Sequence, residues 1–174
     1  MTDWARSIAI LAIAPALGAA IFGFVYRVSF RREATEARNL EAAYATQELA
    51  SRLVVCADRG RFDAKDDKPR ALPPTSKKVP SSLPRDAWVA TSPSDWDDPA
   101  FRCADFRLIE PQPFQIQWEL YAKPTKEWMT VEGVVRAEAD LDGDGAVDHV
   151  VETHVGCAKD MCMVGPSPEI RTLR

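Results

Sequence analysis

Four aspartates in one short stretch have the spacing that a calcium-binding loop requires. The stretch runs from Asp140 to Asp148 and reads DLDGDGAVD. Carboxylate oxygens at every second position can converge on one hard cation, and a glycine after the third carboxylate permits the sharp turn that wraps the loop around it. The sequence therefore predicts a calcium site with these ligands: Asp140, Asp142, Asp144, Ala146 through its backbone carbonyl, and Asp148.

The acidic stretch departs from the EF-hand pattern at its last position. A bidentate glutamate belongs at position twelve of such a loop, whereas this chain has Val151 there and Glu152 one residue later. The alternative interpretation is an acidic turn in which Asp and Gly serve only for their turn geometry. If calcium binds, we expect the weak affinity of extracellular modules, with a dissociation constant on the order of 0.1–1 mM.

Four cysteines offer a second kind of chemistry. Cys56, Cys103, Cys157 and Cys162 allow three disulfide pairings. Cys157 and Cys162 enclose only the segment AKDM, so we expect them to pair with each other, which leaves Cys56 for Cys103. The alternative is four reduced, buried cysteines in a cytoplasmic domain. Two disulfides instead indicate an oxidising compartment.

A zinc site is a weaker interpretation of the same region. His149, His154, Cys157 and Cys162 fall within fourteen residues, and zinc is bound by imidazole and thiolate groups. On a strand, however, the odd spacing of the two histidines places them on opposite faces. The sequence has no nucleophile elbow, phosphate loop, HExxH or CxxCH motif. We therefore expect that the protein is not an enzyme.

Length and charge narrow the class of protein. A chain of 174 residues has room for one domain and an anchor. The net charge of -4 gives no basic surface for nucleic acid, so we expect no nucleic-acid partner.

An uncharged segment near the start predicts a membrane anchor. Residues 8–25 contain no charged side chain over 18 positions, which is near the lower limit for a membrane-spanning helix. Trp4 and Tyr26 stand at its ends, where amphipathic aromatic side chains favour the interface. A cleaved signal peptide is the alternative, but Asp3 offsets Arg6 in the basic region it needs. We expect residues 1–30 to form a retained single-pass membrane anchor.

The orientation of this anchor depends on two opposing signals. Arg27, Arg31 and Arg32 follow the uncharged segment, and the positive-inside rule alone would leave the rest of the chain in the cytoplasm. The cysteines and the acidic loop favour export instead. We expect the C-terminal domain to be periplasmic or extracellular.

The residues after the anchor predict a helix and then a long connection. Residues 31–56 contain no Gly or Pro and are rich in helix formers, with a partial apolar stripe at Leu40, Ala43, Tyr44, Gln47 and Leu53. They are expected to continue the anchor as one helix about 75 Å long. Residues 57–100 contain seven prolines, which excludes central strands. We expect this connecting segment to be held on the domain by Trp88 and Trp96.

Residues 101–174 predict a small antiparallel sheet. From Phe101 onward apolar and polar residues alternate, which is typical of strands. The alternation predicts a short strand at residues 106–109 and a half-buried strand at residues 114–121. Further strands are expected at residues 128–139 and 147–155, on either side of the acidic loop. The fold class is therefore α+β, with a long N-terminal helix, membrane half plus soluble half, packed on a sheet of three to four strands.

Several of these segments together resemble the type IV pilins and pseudopilins. The resemblance is carried by the apolar segment with an internal Pro15, by residues 33–43 (EATEARNLEAA), by residues 101–106 and 110–118, and by the DLDGDG run. The C-terminal cysteine pair resembles a pilin disulfide loop. The resemblance implies a structural subunit of a type IV pilus or a type II secretion pseudopilus. It also implies a location in a bacterial inner membrane, where the partners would be inner-membrane lipid and other pilin-like subunits, contacted through the N-terminal helix.

The start of the chain differs from the pilin pattern. Pilin precursors have a basic leader that ends in glycine and a glutamate near the fifth mature position, where this chain has Ala5 and Arg6. We expect a minor pilin-like subunit, a diverged stand-alone relative, or a different start site. The alternative function is a membrane-tethered extracytoplasmic binding domain that does not assemble.

Overall fold

The computed structural model describes residues 33–59, 72–121, 131–157 and 161–173, together with Tyr26 and Ser29. Residues 38–174 form one compact unit, and residues 1–37 are grouped separately. The expected membrane anchor at residues 8–25 lies outside the described residues. None of the helices in the described part of the chain has the length and apolar character needed to cross a membrane.

The long helix α1 covers residues 33–59 and so continues past the end expected from composition. Its buried face consists of small and branched side chains at helical spacing: Ala42, Ala45, Leu49, Ala50 and Leu53. The predicted apolar stripe was right at Leu53, which is buried, and at Ala43, which packs against the core. It was wrong at Leu40, Tyr44 and Gln47, which are exposed. Alanines on the buried face let the helix axis approach the sheet closely.

The sheet is antiparallel and has five strands, one more than the upper expectation. The strands are β1 (Gln115–Leu120), β2 (Val131–Ala139), β3 (His149–Cys157), β4 (Cys162–Val164) and β5 (Glu169–Thr172). They pair in the order β1-β2-β3-β4, and β5 also pairs with β3. β4 and β5 thus lie one after the other along the same edge of β3.

Helix α1 covers one face of this sheet and runs along β3. Near the start of the helix, Asn39 Nδ2 donates to His149 Nδ1 at 3.5 Å. Further along, the Thr153 hydroxyl contacts the Thr46 hydroxyl at 2.9 Å. Residue numbers increase in the same direction along the helix and along β3, so the two elements are roughly parallel. The core between them contains Leu49, Leu53, Phe101, Phe114, Ile116, Trp118, Val135, Ala137 and Val151.

The connecting segment is attached to the outer edge of β1. Val79 and Ile116 exchange backbone hydrogen bonds at 2.9 and 2.7 Å, and the Trp118 indole donates to the Pro73 carbonyl at 2.9 Å. Of the two tryptophans expected to hold the segment, Trp96 is buried and Trp88 is exposed. Residues 72–100, the described part of the segment that precedes β1, therefore pair with the sheet through isolated bridges and contain no regular strand.

Residues 93–109 differ from the expected strand pattern. Pro93–Trp96 forms a 3-10 helix, and a short helix α2 spans Pro99–Ala104. The expected period of two from Phe101 was therefore wrong, and residues 106–109, all of them described, form no strand. The physical reason lies at the start of α2, where the Asp98 carboxylate accepts the Ala100 amide at 2.9 Å and Pro99 takes the first helical position.

Both disulfides have the pairing expected from the sequence. Cys56, near the end of α1, is bonded to Cys103 in α2, with Cα atoms 5.6 Å apart. Cys157 at the end of β3 is bonded to Cys162 at the start of β4, with Cα atoms 4.0 Å apart. The first bridge ties the helix to the segment that precedes β1, and the second closes the β3–β4 turn.

Candidate functional site

The acidic loop connects β2 to β3 and is closed at its base by backbone hydrogen bonding. Asp140 follows the last residue of β2 and Asp148 precedes the first residue of β3, and the Asp148 amide donates to the Ala139 carbonyl at 2.9 Å. Gly143 and Gly145 have φ values of +80° and +95°, a conformation that favours glycine. The turn geometry therefore favours glycine at Gly145, the position that the motif predicted, and also at Gly143, which the motif did not single out.

The two buried carboxylates organise the loop. Asp140 is fully buried, and its two oxygens accept the amides of Gly143 and Gly145, each at 2.7 Å. Asp148 is also buried, and its Oδ2 accepts the amides of Leu141 at 2.9 Å and Asp142 at 3.1 Å. These hydrogen bonds shape the loop, as the alternative turn interpretation expects.

The structure brings together three of the four predicted carboxylate ligands. Oxygens of Asp140, Asp142 and Asp148 lie within 4.8 Å of one another, a separation that one cation could bridge. Among the described residues Asp144 is outside this group, and its Oδ1 accepts the Ala146 amide at 2.9 Å. The Ala146 carbonyl stays a predicted ligand.

Basic side chains near the loop moderate its negative charge. The Arg85 guanidinium carbon lies 3.5 Å from the point where a Cβ on Gly145 would stand, which is ordinary van der Waals contact and places this cation beside the loop. The Asp86 amide donates to the Asp140 carbonyl at 2.8 Å, and the Asp86 carboxylate pairs with Arg38 of α1 at 2.7 Å. The loop is therefore linked to the helix through residues 85–86. The sequence carries no signal for this link, because its members are far apart in the chain.

A second group of possible ligands lies on the face of the sheet away from α1. Glu152, His154 and Glu169 place donor atoms within 4.8 Å of one another. Glu152, however, is buried and paired with two guanidinium groups, those of Arg136 at 2.7 Å and of Arg171. Arg136 also pairs with a carboxylate on β1. Two adjacent positive charges disfavour a divalent cation, so this group is an ion-pair network that crosses the sheet.

The zinc interpretation does not fit the geometry. Cys157 and Cys162 are bonded to each other, so neither offers a thiolate. His149 contacts Asn39 on the helix side of the sheet, and the alternation along β3 places His154 on the opposite face. The four predicted zinc ligands therefore do not converge.

Comparison with known proteins gives no relative. No protein-family model, no curated protein and no solved structure matches this chain. The function is therefore inferred from the residues and contacts described above.

Proposed function

We propose that this protein is a pilin-like structural subunit of a bacterial filament or secretion pseudopilus, and not an enzyme. In this proposal the N-terminal segment is a single-pass anchor in the inner membrane. The β-rich domain lies on the periplasmic or extracellular side. The observation that carries the proposal is the order of elements: an uncharged 18-residue segment, a long helix, and an antiparallel sheet on which that helix packs.

The composition of the anchor supports contacts between copies. Residues 8–25 contain six alanines and two glycines. Small side chains allow apolar helices to approach closely, which is the main source of helix association in lipid. Neighbouring anchors would thus form the partner surface, with membrane lipid around subunits that have not assembled.

The two disulfides support the proposed location. All four cysteines are bonded in pairs, and disulfides persist in the periplasm and outside the cell. In a domain that leaves the cytoplasm, they would maintain the attachment of the helix and of the last strands.

Calcium is proposed as a stabilising ligand of the acidic loop. The grouping of Asp140, Asp142 and Asp148 favours a single cation at that position. Calcium is the hard cation that flexible loops of oxygen ligands select. Bound calcium would stiffen the connection between β2 and β3. Because residues 85–86 link this loop to α1, calcium would also stiffen the start of the compact unit.

A membrane-tethered binding domain is the second candidate function. Tyr44 and Ile109 are 73% and 82% exposed and line the same surface cavity. Exposed apolar side chains around a cavity are typical of a binding surface. This function shares the anchor with the first and differs in that the copies do not associate.

Photo-crosslinking in the native host tests the assembly. We would place p-benzoylphenylalanine at Ile13 in the anchor, and at Leu173 in the β domain as a matched control. A pilin-like subunit gives a ladder of homo-oligomers from Ile13 and is recovered from the sheared extracellular fraction or with the secretion machinery.

Two results would contradict the assembly. Monomer alone after crosslinking, in the inner-membrane fraction, would reject the filament and favour the tethered binding domain. Reduced cysteines in freshly lysed, alkylated cells would reject the extracytoplasmic location and with it both candidates.

A further inference from the structure

A surface cavity of about 330 Å³ lies between α1 and the segment that leads into β1. Its apolar walls include Tyr44 and Ala45 of the helix and Leu108, Ile109 and Phe114 of the segment. None of the residues that line the cavity belongs to the acidic loop. All of its lining residues belong to the compact unit of residues 38–174.

The buried amide of Gln112 sets this cavity apart from an ordinary surface depression. Gln112 lines the cavity and is 1% exposed. Its backbone groups pair with Val89 at 2.9 Å, but within the described residues neither side-chain Oε1 nor Nε2 has a hydrogen-bond partner. A buried amide without partners is costly, because it has lost its hydrogen bonds to water. Such a group therefore indicates an occupant that supplies a donor and an acceptor.

The rim of the cavity is acidic. Glu41, Glu48 and Glu110 line it together with a single basic residue, Arg107. Glu48 is paired with Arg52 at 2.8 Å, whereas burial and the nearby charge of Glu110 raise the pKa of Glu41. Two carboxylates that repel each other at the mouth of a cavity favour a cationic occupant.

Exposed apolar side chains continue the surface beyond the cavity. Tyr44 and Ile109 are the two most exposed large apolar side chains in the described part of the chain, and Leu40 lies one helical turn before Tyr44 and is 57% exposed. Side chains four residues apart share a helix face. An occupant can therefore place apolar side chains on both sides of the acidic rim.

We propose that this cavity binds an extended peptide segment of a partner protein in which a lysine or arginine stands next to an aromatic or aliphatic residue. The primary amide of Gln112 offers two donors and an acceptor, which match the carbonyl and N–H of one peptide unit. The apolar walls take the uncharged side chain, and Glu41 and Glu110 take the basic one. This binding site does not depend on whether copies of the chain assemble into a filament.

The test uses the full-length protein in detergent micelles and a library of random short peptides displayed on phage. We expect the enriched peptides to carry a basic residue beside an aromatic or aliphatic one. A synthetic peptide of the enriched sequence should bind Gln112→Leu and Ile109→Asp at least about tenfold more weakly than the parent protein, as for residues at the centre of an interface.

Matched variants separate binding from folding. Gln112→Leu removes an amide that has no partner among the described residues, so its melting temperature should equal or exceed that of the parent. Ile109→Asp changes an exposed side chain, and Leu173→Asp introduces the same charge at another exposed apolar position. Ile109→Asp should lose peptide binding, and Leu173→Asp should keep it.

Three results would overturn the proposal. The first is enrichment of acidic or neutral peptides, and the second is peptide binding that Gln112→Leu and Ile109→Asp leave unchanged. The third is the absence of enriched peptides. In that case the cavity holds only water if Ile109→Asp leaves self-association in micelles unchanged. If Ile109→Asp abolishes self-association, the occupant is a second copy of this chain and not an extended peptide.

Discussion

The hydroxyl of Thr153 on β3 donates a hydrogen bond to the hydroxyl of Thr46 on α1, with 2.9 Å between the two oxygens. Both residues are buried, at 1% and 0% exposure. Thr46 in turn donates to the Ala43 carbonyl at 3.0 Å. In an interface made mostly of apolar side chains, this pair fixes the rotation of the helix about its axis, because a turned helix would leave the buried Thr153 hydroxyl without its acceptor.

The threonine pair predicts unequal costs for the two single substitutions. Thr46→Val removes the acceptor and leaves the Thr153 hydroxyl buried without a partner, which should lower the free energy of unfolding by about 1–3 kcal/mol. Thr153→Val should cost less, about 1 kcal/mol, because Thr46 keeps its bond to Ala43. The double substitution should cost less than the sum of the two. Urea unfolding of all three variants would measure this coupling, and strict additivity would contradict it.

Two strand glycines should respond in opposite ways to alanine. A Cβ on Gly133 would overlap the Trp118 indole and come within 2.6 Å of the Glu119 carbonyl oxygen, so Gly133→Ala should destabilise the domain by about 1–3 kcal/mol or more. A Cβ on Gly156 would meet no atom of the described residues within 4 Å. Gly156→Ala should therefore be neutral or slightly stabilising. Equal effects on the thermal midpoint would show that the Trp118 indole does not pack against Gly133.

The two disulfides should contribute unequally to stability. The Cys56–Cys103 bridge closes a sequence separation of 47 residues and the Cys157–Cys162 bridge a separation of 5. From the entropy of the unfolded chain, removing the first pair should cost about 4 kcal/mol and removing the second about 2 kcal/mol. Paired Cys→Ser variants, compared by urea unfolding, would measure both values. A larger loss from the short bridge would contradict the entropic account.

Calcium should raise the melting temperature if the acidic loop binds it. At ten times its dissociation constant a ligand adds about 1.4 kcal/mol, which for a domain of this size is a few degrees. Asp142→Asn should abolish the difference between calcium and chelator, because it removes a ligand charge while its amide oxygen can still accept the Asp144 amide. Asp144→Asn should keep most of the difference, since this residue lies outside the three-carboxylate group. Identical melts of the parent protein in calcium and chelator would leave the loop as a turn without a metal.

Glu41 gives a prediction for the dependence of stability on pH. Burial, and next the charge of Glu110, raise the pKa of Glu41 in the folded state. A raised pKa means that the folded protein holds this proton more tightly, so the contribution is fully present below the ordinary glutamate pKa and is lost as the pH rises through the folded pKa. Glu48, Glu110 and Arg107 are the other charged groups that line the same cavity.

Glu41→Gln should therefore raise the thermal midpoint at neutral pH, and the gain should disappear in acid. Thermal melts of variant and parent from acidic to neutral pH would show that their midpoints converge in acid. A constant difference between variant and parent at every pH would contradict the assigned pKa direction.

Local sequence patterns were sufficient for the elements at the centre of the domain. Helix formers without Gly or Pro predicted α1, and the alternation around Ile116 and Trp118 predicted β1 with the correct buried face. Cysteine spacing gave both disulfides. These features depend on neighbouring residues, and their signals are therefore present in short segments.

Other elements depend on contacts between distant residues or have weak local patterns. β5 was missed because all four of its residues are exposed, so Glu169–Thr172 shows no apolar alternation. β4 has only three residues. Asp98-Pro99 is a helix-start signal and indicates α2. It was missed because the alternation of apolar and polar residues expected from Phe101 favoured a strand. The separation of Asp144 from the other carboxylates follows from hydrogen bonds within the folded loop, which residue spacing does not specify.

Helix α1 is fastened at both of its ends within the compact unit, by the Arg38–Asp86 ion pair and by the Cys56–Cys103 bridge. A pulling force applied to the helix along its own axis would run along β3, because the two elements are parallel. It would load the whole helix–sheet contact in shear, which resists mechanical rupture better than peeling from one end. The Arg38–Asp86 ion pair would bear this force first. The Cys56–Cys103 disulfide would keep the other end of the helix attached after the ion pair breaks.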